Sequence, residues 1–470
     1  MLKTLLSPYA VGVASRIAAQ LITFVSVMVA SRYVGLASFG SYVLAWTVSV
    51  IFTSLVYTGL YQSLLRSEEP DHDASSYFWL MGIVASVGTL VSLNCGLLAG
   101  GWNSETGTAF LLLAPATLFA FPTAWNEAHL VAQKRVRAAS LYSLASQLAT
   151  LLATWIGLQH GYGIIALIGG NYVGAVMGLI VTFTLVRRVP KAELRRKALA
   201  DSRNTVPNLW GTSLLAMFSN YGGDLILGAF LSPVAVGAYR GGSRITLAVN
   251  DFIVQPLTML SWSRFTRMEK EQDLDGMRTA WIDNMSLAGA LMWPMMVALA
   301  LLADPLVRVV FDDAWLPAAV VVVILAASRC VRFFAVLLEP ALICAGHKGR
   351  QLRIRLIGAI VFLVALLSFG RLSVELAAYS HLLASAAVAV LALIASFEAM
   401  HIRARQAIPV FLPGACIAAS CAALISLTAP ARDAMSIGAG LFATIGALGV
   451  LWLAGMVLCL RSGWLRLPQP

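Results

Sequence analysis

The chain has 470 residues, of which 59% are apolar and only 12% charged, and its mean hydropathy is +0.81. A water-soluble domain carries about twice that share of charged residues, so the composition excludes one and predicts a membrane protein. The net charge of +11 is explained by membrane topology and by the attraction of basic loops to anionic lipid. It gives no reason to expect a nucleic-acid partner.

The apolar residues come in blocks of about 18 to 25, which is enough to cross roughly 30 Å of hydrocarbon at about 1.5 Å per residue. They predict an all-α, polytopic fold of about 14 transmembrane helices. The predicted spans are 9–31, 38–60, 77–99, 107–126, 139–159, 163–186, 206–231, 235–259, 280–302, 317–340, 354–370, 374–399, 408–428 and 437–460.

These spans fall into two sets of six with two more at the end. We expect an N-terminal bundle at 1–187, a cytoplasmic linker at 188–205 and a C-terminal bundle at 206–400. The last two helices and a cytoplasmic tail make up 401–470. The apolar start of the chain is interpreted as an uncleaved first helix.

Basic residues predict how these helices cross the membrane. Most of the 33 lysines and arginines lie at the termini and in the loops after even-numbered spans. The loops on the opposite side hold only Arg32, Arg308, Arg371 and Arg432. Because cytoplasmic loops carry the excess of positive charge, both termini are predicted to be cytoplasmic.

Five arginines lie inside predicted spans: Arg16, Arg240, Arg244, Arg329 and Arg332. A guanidinium at a helix centre costs about 2.5 to 17 kcal/mol, so such residues usually face a wet cavity or a partner. Arg240 and Arg244 are four apart, and Arg329 and Arg332 three apart, so each pair shares a helix face. Arg244 and Arg329 lie nearest the middle of their spans. The pattern predicts a cavity that binds an anion.

Some of these arginines have simpler explanations. Arg240 is near the outer end of its span and is able to reach lipid headgroups. Arg332 has Glu339 seven residues further along the same face, about 10 Å away. Arg16 is about seven residues into its span, where it either extends to the cytoplasmic surface or supplies the N-terminal bundle's part of the cavity.

Two aspartates in the spans, Asp224 and Asp251, are candidate ion-coupling residues. A membrane carboxylate is able to bind a proton or Na⁺ and so tie transport to an ion gradient. It is equally able to form a buried salt bridge that holds helices in register. For Asp251 we favour a structural or charge-balancing role.

The remaining polar groups predict no chemistry. The histidines and cysteines lack metal-ligand spacing, and the acidic run 68–73 is interpreted as a solvated loop. Walker-type, His-Glu-x-x-His and Gly-x-Ser-x-Gly motifs are missing. We therefore expect no catalytic residue, no metal and no cofactor.

A shift of 197 positions aligns residues 27–42 with 224–239 and pairs Gly40 with Gly237 and Tyr42 with Tyr239. Both segments join the end of one span to the start of the next. The two halves are therefore interpreted as parallel repeats related by an axis along the membrane normal. Chance similarity of two apolar hairpins is the alternative.

Six stretches in order along nearly the whole chain carry a resemblance to a known family. They are ASRYVGLASFGSY at 30–42, FLSPVAVGAY at 230–239, WSRF at 262–265, MWP at 292–294, ADPLVRVVFDDAW at 303–315 and CAGHKGR at 344–350. The chain resembles the Wzx-type polysaccharide transporters of the multidrug/oligosaccharidyl-lipid/polysaccharide exporter superfamily. It departs from them at Asp312, where glycine is common.

The resemblance implies two six-helix bundles facing a central cavity, with two helices added outside. It also implies a flippase in the bacterial inner membrane that moves undecaprenyl-pyrophosphate-linked oligosaccharide for O-antigen, capsule or exopolysaccharide assembly. Membrane lipid, a polysaccharide polymerase and chain-length machinery are the expected partners. The buried arginines suit such a cargo, because guanidinium groups bind phosphate through charge-assisted hydrogen bonds.

Two other functions remain open. A multidrug or cation antiporter of the same superfamily needs an acidic, aromatic cavity, whereas the charges here are cationic. A polysaccharide polymerase or glycosyltransferase of the membrane needs a large catalytic loop, and no predicted outer loop exceeds roughly fifteen residues.

Overall fold

The structure is a computed structural model, and it describes residues 8–67 and 69–465. Within these ranges all regular secondary structure is helical. The chain divides into two compact units, Met1–Gly237 (unit 1) and Ala238–Pro470 (unit 2). The bundle boundaries predicted at 187 and 400 stay a prediction.

Unit 1 contains nine α-helices and the start of a tenth. A π-helical segment at Val56–Tyr61 follows α2 directly. The helices are α1 (Pro8–Tyr33), α2 (Leu36–Leu55), α3 (Gln62–Arg66), α4 (Pro70–Leu98), α5 (Glu105–Leu113), α6 (Ala116–Ala132), α7 (Val136–Gln159), α8 (Ile164–Val186) and α9 (Arg196–Phe230).

Unit 2 contains the rest of α10 and eight further α-helices. A second π-helical segment, Leu366–Gly370, follows α15. The helices are α10 (Pro233–Glu271), α11 (Leu274–Leu301), α12 (Ala303–Val310), α13 (Pro317–Arg332), α14 (Leu338–Cys344), α15 (Lys348–Ala365), α16 (Val374–Ala399), α17 (Ala404–Asp433) and α18 (Ile437–Arg461).

The all-α, polytopic fold class is confirmed, and among the described residues 11 helical segments are long and apolar enough to cross a membrane. The predicted number of 14 spans is not confirmed. Two of the three other predicted spans lie in α9 and α10, which carry Asp224, Arg240, Arg244 and Asp251. These charges lower the hydropathy of helices whose length is ample.

The two predicted repeat segments pack against each other inside unit 1. A Cβ atom added to Gly40 would lie 1.8 Å from the Pro233 carbonyl oxygen, and one added to Gly237 would lie 2.3 Å from the Leu36 carbonyl oxygen. The shift of 197 relates Leu36 to Pro233 as it relates Gly40 to Gly237. A contact that is reciprocal in this way is what a local two-fold axis produces, so it supports the predicted repeat.

Two helix irregularities are stabilised by tryptophan side chains. The Leu55 carbonyl, at the start of the π-helical segment, accepts a hydrogen bond from Trp210 Nε1 at 2.8 Å. In unit 2, Pro294 lacks an N–H group and leaves the Ala290 carbonyl without its helical donor. Trp452 Nε1 of α18 donates to that carbonyl at 3.0 Å. Both carbonyls therefore have a donor within the protein, as backbone groups in the membrane interior require.

Helix α17 attaches to α11 through a close crossing of small residues. A Cβ atom on Gly414 would lie 2.5 Å from the Gly289 carbonyl carbon, so the two backbones nearly touch. Small residues allow this approach, which is how helices commonly associate in membranes. This crossing and the Trp452 hydrogen bond join α17 and α18 to the rest of unit 2.

The basic segment between α8 and α9 is bound to the start of α4. Arg195 Nη1 lies 3.2 Å from Glu69 Oε2 and 3.3 Å from Asp73 Oδ1, and Trp79 Nε1 donates to the Lys191 carbonyl at 2.9 Å. The interpretation of the acidic run as a solvated loop is wrong for Asp73, which is 1% exposed. Its ion-pair partner Arg195 is far away in the sequence, and its other oxygen accepts a hydrogen bond from Ser67. Glu68 lies outside the described residues.

The ionisation of Glu69 follows from these contacts. Hydrogen bonds from Lys197 and Arg195 hold the pKa of the Glu69 carboxyl below its usual range. Because the folded-state pKa is lowered, the stabilisation is present at neutral pH and is lost as the pH falls through the lowered value. The Glu69–Lys197 ion pair is exposed, so its contribution to the free energy of unfolding is small.

We expect Gly40→Ala and Gly237→Ala each to destabilise the protein by about 1–3 kcal/mol, because the added methyl group overlaps a carbonyl of the opposite segment. Gly35→Ala is the matched control, since a Cβ atom added to Gly35 would have no atom within 4 Å. The measurement is thermal unfolding of purified protein in detergent. Equal melting temperatures for all three variants would contradict the reciprocal contact.

We expect Asp73→Asn to expose the segment between α8 and α9 to trypsin, because it removes a buried charge partner of Arg195. Cleavage after Lys191 or Arg195 becomes several-fold faster than in the wild type, measured by mass spectrometry of timed digests. Asp275→Asn, at an exposed aspartate that pairs with Arg278, serves as the control and leaves the rate unchanged. Unchanged cleavage of Asp73→Asn would show that the ion pairs do not hold the segment.

Candidate anion-binding site

A transmembrane segment with a backbone break in its interior lies in unit 2. The segment Pro317–Cys344 is long enough to cross the membrane, but its α-helix ends at Arg332 and a 3-10 turn, Phe333–Ala335, follows. Trp293 Nε1 donates to the Cys330 carbonyl at 3.1 Å. Irregular backbone at membrane depth occurs where it is buried in protein or lines a cavity, and broken helices often mark transport sites.

Arg329 and Arg332 occupy the last turn of α13, immediately before this break. Counted from Pro317, they are residues 13 and 16 of a 28-residue segment, so they lie at its middle. Cations at a helix C-terminus are stabilised by the helix dipole. The sequence pattern alone did not predict the break, because neither Pro nor Gly occurs between Pro317 and Leu337.

Arg329 is half-buried and interacts electrostatically with Asp251 of α10. This placement agrees with the charge-balancing role that we favoured for Asp251. Arg332 is exposed, and among the described residues it has no carboxylate partner. Glu339, the alternative partner of Arg332 in the sequence, pairs with Arg355 of α15 instead. The site therefore has a net positive charge.

His381 joins this cluster from α16. Its Nε2 atom lies 2.7 Å from the Tyr239 hydroxyl oxygen, and its ring centroid lies 4.2 Å from that of Phe362. Both Arg329 and Arg332 act electrostatically on the imidazole. No sequence pattern pointed to His381, because a single histidine in an apolar helix is more often a packed core residue.

The other predicted arginines of unit 2 differ in burial. Arg240 is only 6% exposed, which disagrees with the alternative that it reaches lipid headgroups. Arg244 is half-buried, and both side chains interact with other residues. Both belong to α10, the helix that also supplies Tyr239 and Asp251. Their role in binding stays a prediction.

Two predicted site residues, Arg16 and Asp224, belong to unit 1. The side chain of Arg16 lies outside the described residues, although its backbone belongs to α1. Asp224 of α9 is buried, and its Oδ2 atom accepts a hydrogen bond from Thr47 at 3.4 Å. This contact holds α9 against α2, and a coupling role for Asp224 stays a prediction.

Sequence reasoning missed a further membrane carboxylate, Glu127 of α6. It accepts a hydrogen bond from the Tyr142 hydroxyl and another from Tyr57 of the π-helical segment. A carboxylate with two hydroxyl donors inside a span is a polar site of unit 1. The signal was a lone Glu near the end of a predicted span, which is easily taken for a loop residue.

Metal and cofactor sites were not expected. Across the described ranges no group of three or more His, Cys, Asp or Glu side chains is placed to hold a metal ion. The chemistry that the cluster in unit 2 supplies is therefore that of guanidinium, imidazole and phenol groups. These groups suit a ligand with acceptor oxygens and negative charge.

The fold is that of a polytopic membrane protein, and sequence comparison gives the family. The profile of the polysaccharide biosynthesis protein family matches residues 13–320. The chain therefore belongs to this family. One relative is the succinoglycan biosynthesis transport protein ExoT of Rhizobium meliloti (strain 1021), which is 23% identical over 65% of this chain. The aligned region spans 62% of the length of that relative.

Solved structures show the same fold. The lipid II flippase MurJ in its inward closed conformation superposes with a TM-score of 0.76 at 13% identity, covering 96% of this chain and 99% of that one. An inward-facing multidrug resistance MATE family transporter of the MOP superfamily gives 0.66 at 13% identity, covering 82% and 94%. The predicted family is confirmed, and these structures show that the chain has the same fold as theirs.

We expect Trp293→Phe to destabilise the break in Pro317–Cys344, because the Cys330 carbonyl loses its indole donor. An unpaired buried acceptor costs about 1–3 kcal/mol, so the melting temperature should fall by a few degrees. Trp464→Phe is the control, since Trp464 is exposed. If both variants melt with the wild type, the indole hydrogen bond does not support the break.

Proposed function

We propose that this protein is a flippase that moves an undecaprenyl-pyrophosphate-linked oligosaccharide across the bacterial inner membrane by alternating access. The observation that carries the proposal is the position of Arg329 and Arg332 at the middle of Pro317–Cys344, beside a break in the helix. Two guanidinium groups at this depth need a ligand or a counter-charge. Asp251 supplies one negative charge, and an anionic cargo supplies the rest.

The chemistry of the cargo matches the site. A pyrophosphate carries about two negative charges and several acceptor oxygens, and guanidinium groups bind it through charge-assisted, often bidentate hydrogen bonds. The prenyl tail stays in lipid while the sugars occupy a water-filled space. The names of the relatives support this class of cargo, since ExoT is a succinoglycan transport protein and MurJ a lipid II flippase.

A cation antiporter is the weaker proposal for this chain. A cation-binding site needs an excess of negative charge, whereas the cluster of Arg329, Arg332 and Asp251 has an excess of positive charge. We infer that the transported oligosaccharide is used to assemble O-antigen, capsule or exopolysaccharide. We propose the polymerase and chain-length machinery of that process as partners, and we propose that both termini lie in the cytoplasm.

We expect Arg329→Ala and Arg332→Ala each to reduce transport about tenfold or more, because one charge-assisted hydrogen bond contributes about 1.5–3 kcal/mol. The measurement is flipping of a fluorescent undecaprenyl-pyrophosphate oligosaccharide in proteoliposomes. Surface polysaccharide in cells that lack the chromosomal gene gives a second readout. Arg329→Lys retains the charge but not the bidentate geometry, so its activity should be intermediate.

The control is Arg353→Ala, because Arg353 is an exposed arginine near the start of α15 whose guanidinium contacts the Gly349 carbonyl. It should transport at the wild-type rate. All variants are compared at equal amounts of folded protein in the membrane. Wild-type activity in both Arg329→Ala and Arg332→Ala would overturn the proposed site, and no flipping by the wild-type protein would overturn the function.

A further inference from the structure

The two repeats contain the same tyrosine contact with one difference in chemistry. In unit 1, Tyr42 accepts a hydrogen bond from Asn171 Nδ2 at 2.6 Å. In unit 2, the Tyr239 hydroxyl lies 2.7 Å from His381 Nε2. Tyr42 and Tyr239 are each the seventh residue of their helices, and Asn171 and His381 are each the eighth residue of theirs. At the equivalent helix position, one repeat therefore has an amide and the other an imidazole.

The unit that carries Arg329 and Arg332 has the titratable imidazole of His381 at this position, whereas unit 1 has the neutral amide of Asn171. An amide satisfies the tyrosine hydroxyl as well as an imidazole does, as Asn171 demonstrates in unit 1. The hydrogen bond alone therefore gives no reason for a histidine. His381 is half-buried and interacts electrostatically with Arg329 and Arg332. The described contacts of Asn171 are with the Tyr42 hydroxyl and the Leu167 carbonyl.

We propose that His381 takes up a proton when the anionic cargo binds at Arg329 and Arg332, and so links proton uptake to cargo binding. The inference rests on the proposed function, because it needs an anion at this site. Without the anion, an imidazolium would stand next to two guanidinium groups, and like charges repel. A bound pyrophosphate offsets that repulsion and accepts a hydrogen bond from a protonated ring.

The hydrogen bonding of His381 leaves one ring nitrogen able to accept the proton. Only Nε2 of His381 has a hydrogen-bond partner within the described part of the chain, and that partner is the Tyr239 hydroxyl. Asn171 donates to Tyr42, and a ring that donates likewise from Nε2 leaves Nδ1 as the acceptor of the incoming proton. The proton comes from hydronium in solution: an O–H bond of the hydronium breaks as the Nδ1–H bond forms, water is released and the ring becomes a cation.

The charged surroundings of His381 consist of few groups. Helix α10 contributes Tyr239, carries Arg240 and Arg244, and contributes Asp251, which interacts electrostatically with Arg329. Helix α13 contributes Arg329 and Arg332. Helix α15 contributes Phe362, and its charged residues lie in the first part of the helix, at 348–355. Helix α14 contributes Glu339, which is paired with Arg355, and α16 itself carries Glu375, Tyr379 and Glu398.

The test is calorimetry of undecaprenyl pyrophosphate binding to the purified full chain in buffers that differ in ionisation enthalpy. The slope against that enthalpy gives the number of protons taken up. In the wild type we expect uptake near pH 7 and an affinity that falls about tenfold as the pH rises past the histidine range of about 6 to 7. The lipid's own titration is common to every variant.

His381→Asn is the decisive variant, because the chain itself shows that asparagine makes this tyrosine contact. It should bind the lipid and melt like the wild type, but its proton uptake and pH dependence should fall to the level due to the lipid alone. His160→Asn, at an exposed histidine of unit 1, should retain the wild-type proton uptake. Tyr239→Phe separates loss of the hydroxyl contact from loss of the imidazole, and it should retain the uptake.

Each result decides one statement. Equal proton uptake by wild type and His381→Asn, with the lipid bound by both, would overturn the role of His381 and leave the anion site intact. Loss of binding in His381→Asn at every pH, with an unchanged melting temperature, would show a cargo contact instead of a proton acceptor. No binding by the wild-type protein would overturn the proposed function and the inference together.

Discussion

Polar groups inside a membrane must find their partners within the protein, and this constraint explains most of the structure. Where a helix departs from regularity, an indole supplies the missing donor, as Trp210 does for Leu55, Trp452 for Ala290 and Trp293 for Cys330. In this way the chain includes π-helical, proline-containing and broken segments without leaving those carbonyls unpaired. Arg329 and Arg332 lie at one of these irregularities, and their charge is incompletely balanced by the protein.

The two repeats show how one scaffold acquires a charged site. The reciprocal packing of Gly40 on Pro233 and Gly237 on Leu36 indicates that the repeat segments have equivalent positions. The tyrosine contacts of Asn171 and His381 extend the equivalence to helices far apart in the sequence. On this shared framework, charge is unevenly distributed. Unit 2 has the guanidinium groups of Arg329 and Arg332 and the imidazole of His381, whereas unit 1 has Glu127 between tyrosines.

Hydropathy predicted the fold class and the six matching stretches predicted the family, because both are visible residue by residue. The role of the arginines in binding stays a prediction. The sequence did not predict the break after Arg332, since no Pro or Gly marks it and its support comes from Trp293 on another helix. The pairing of Asp73 with Arg195 was also missed, because the two residues are far apart in the sequence. His381 and Glu127 were missed because their significance depends on which side chains surround them in three dimensions.

The central claim is that Arg329 and Arg332 hold the pyrophosphate of a lipid-linked cargo. The most direct test is a cryo-electron microscopy structure of the wild-type protein with undecaprenyl pyrophosphate. We predict density for the phosphates within hydrogen-bond distance of both guanidinium groups and no such density in a matched structure with undecaprenol. Phosphate density at another place in the protein, with these two arginines bare, would contradict the account.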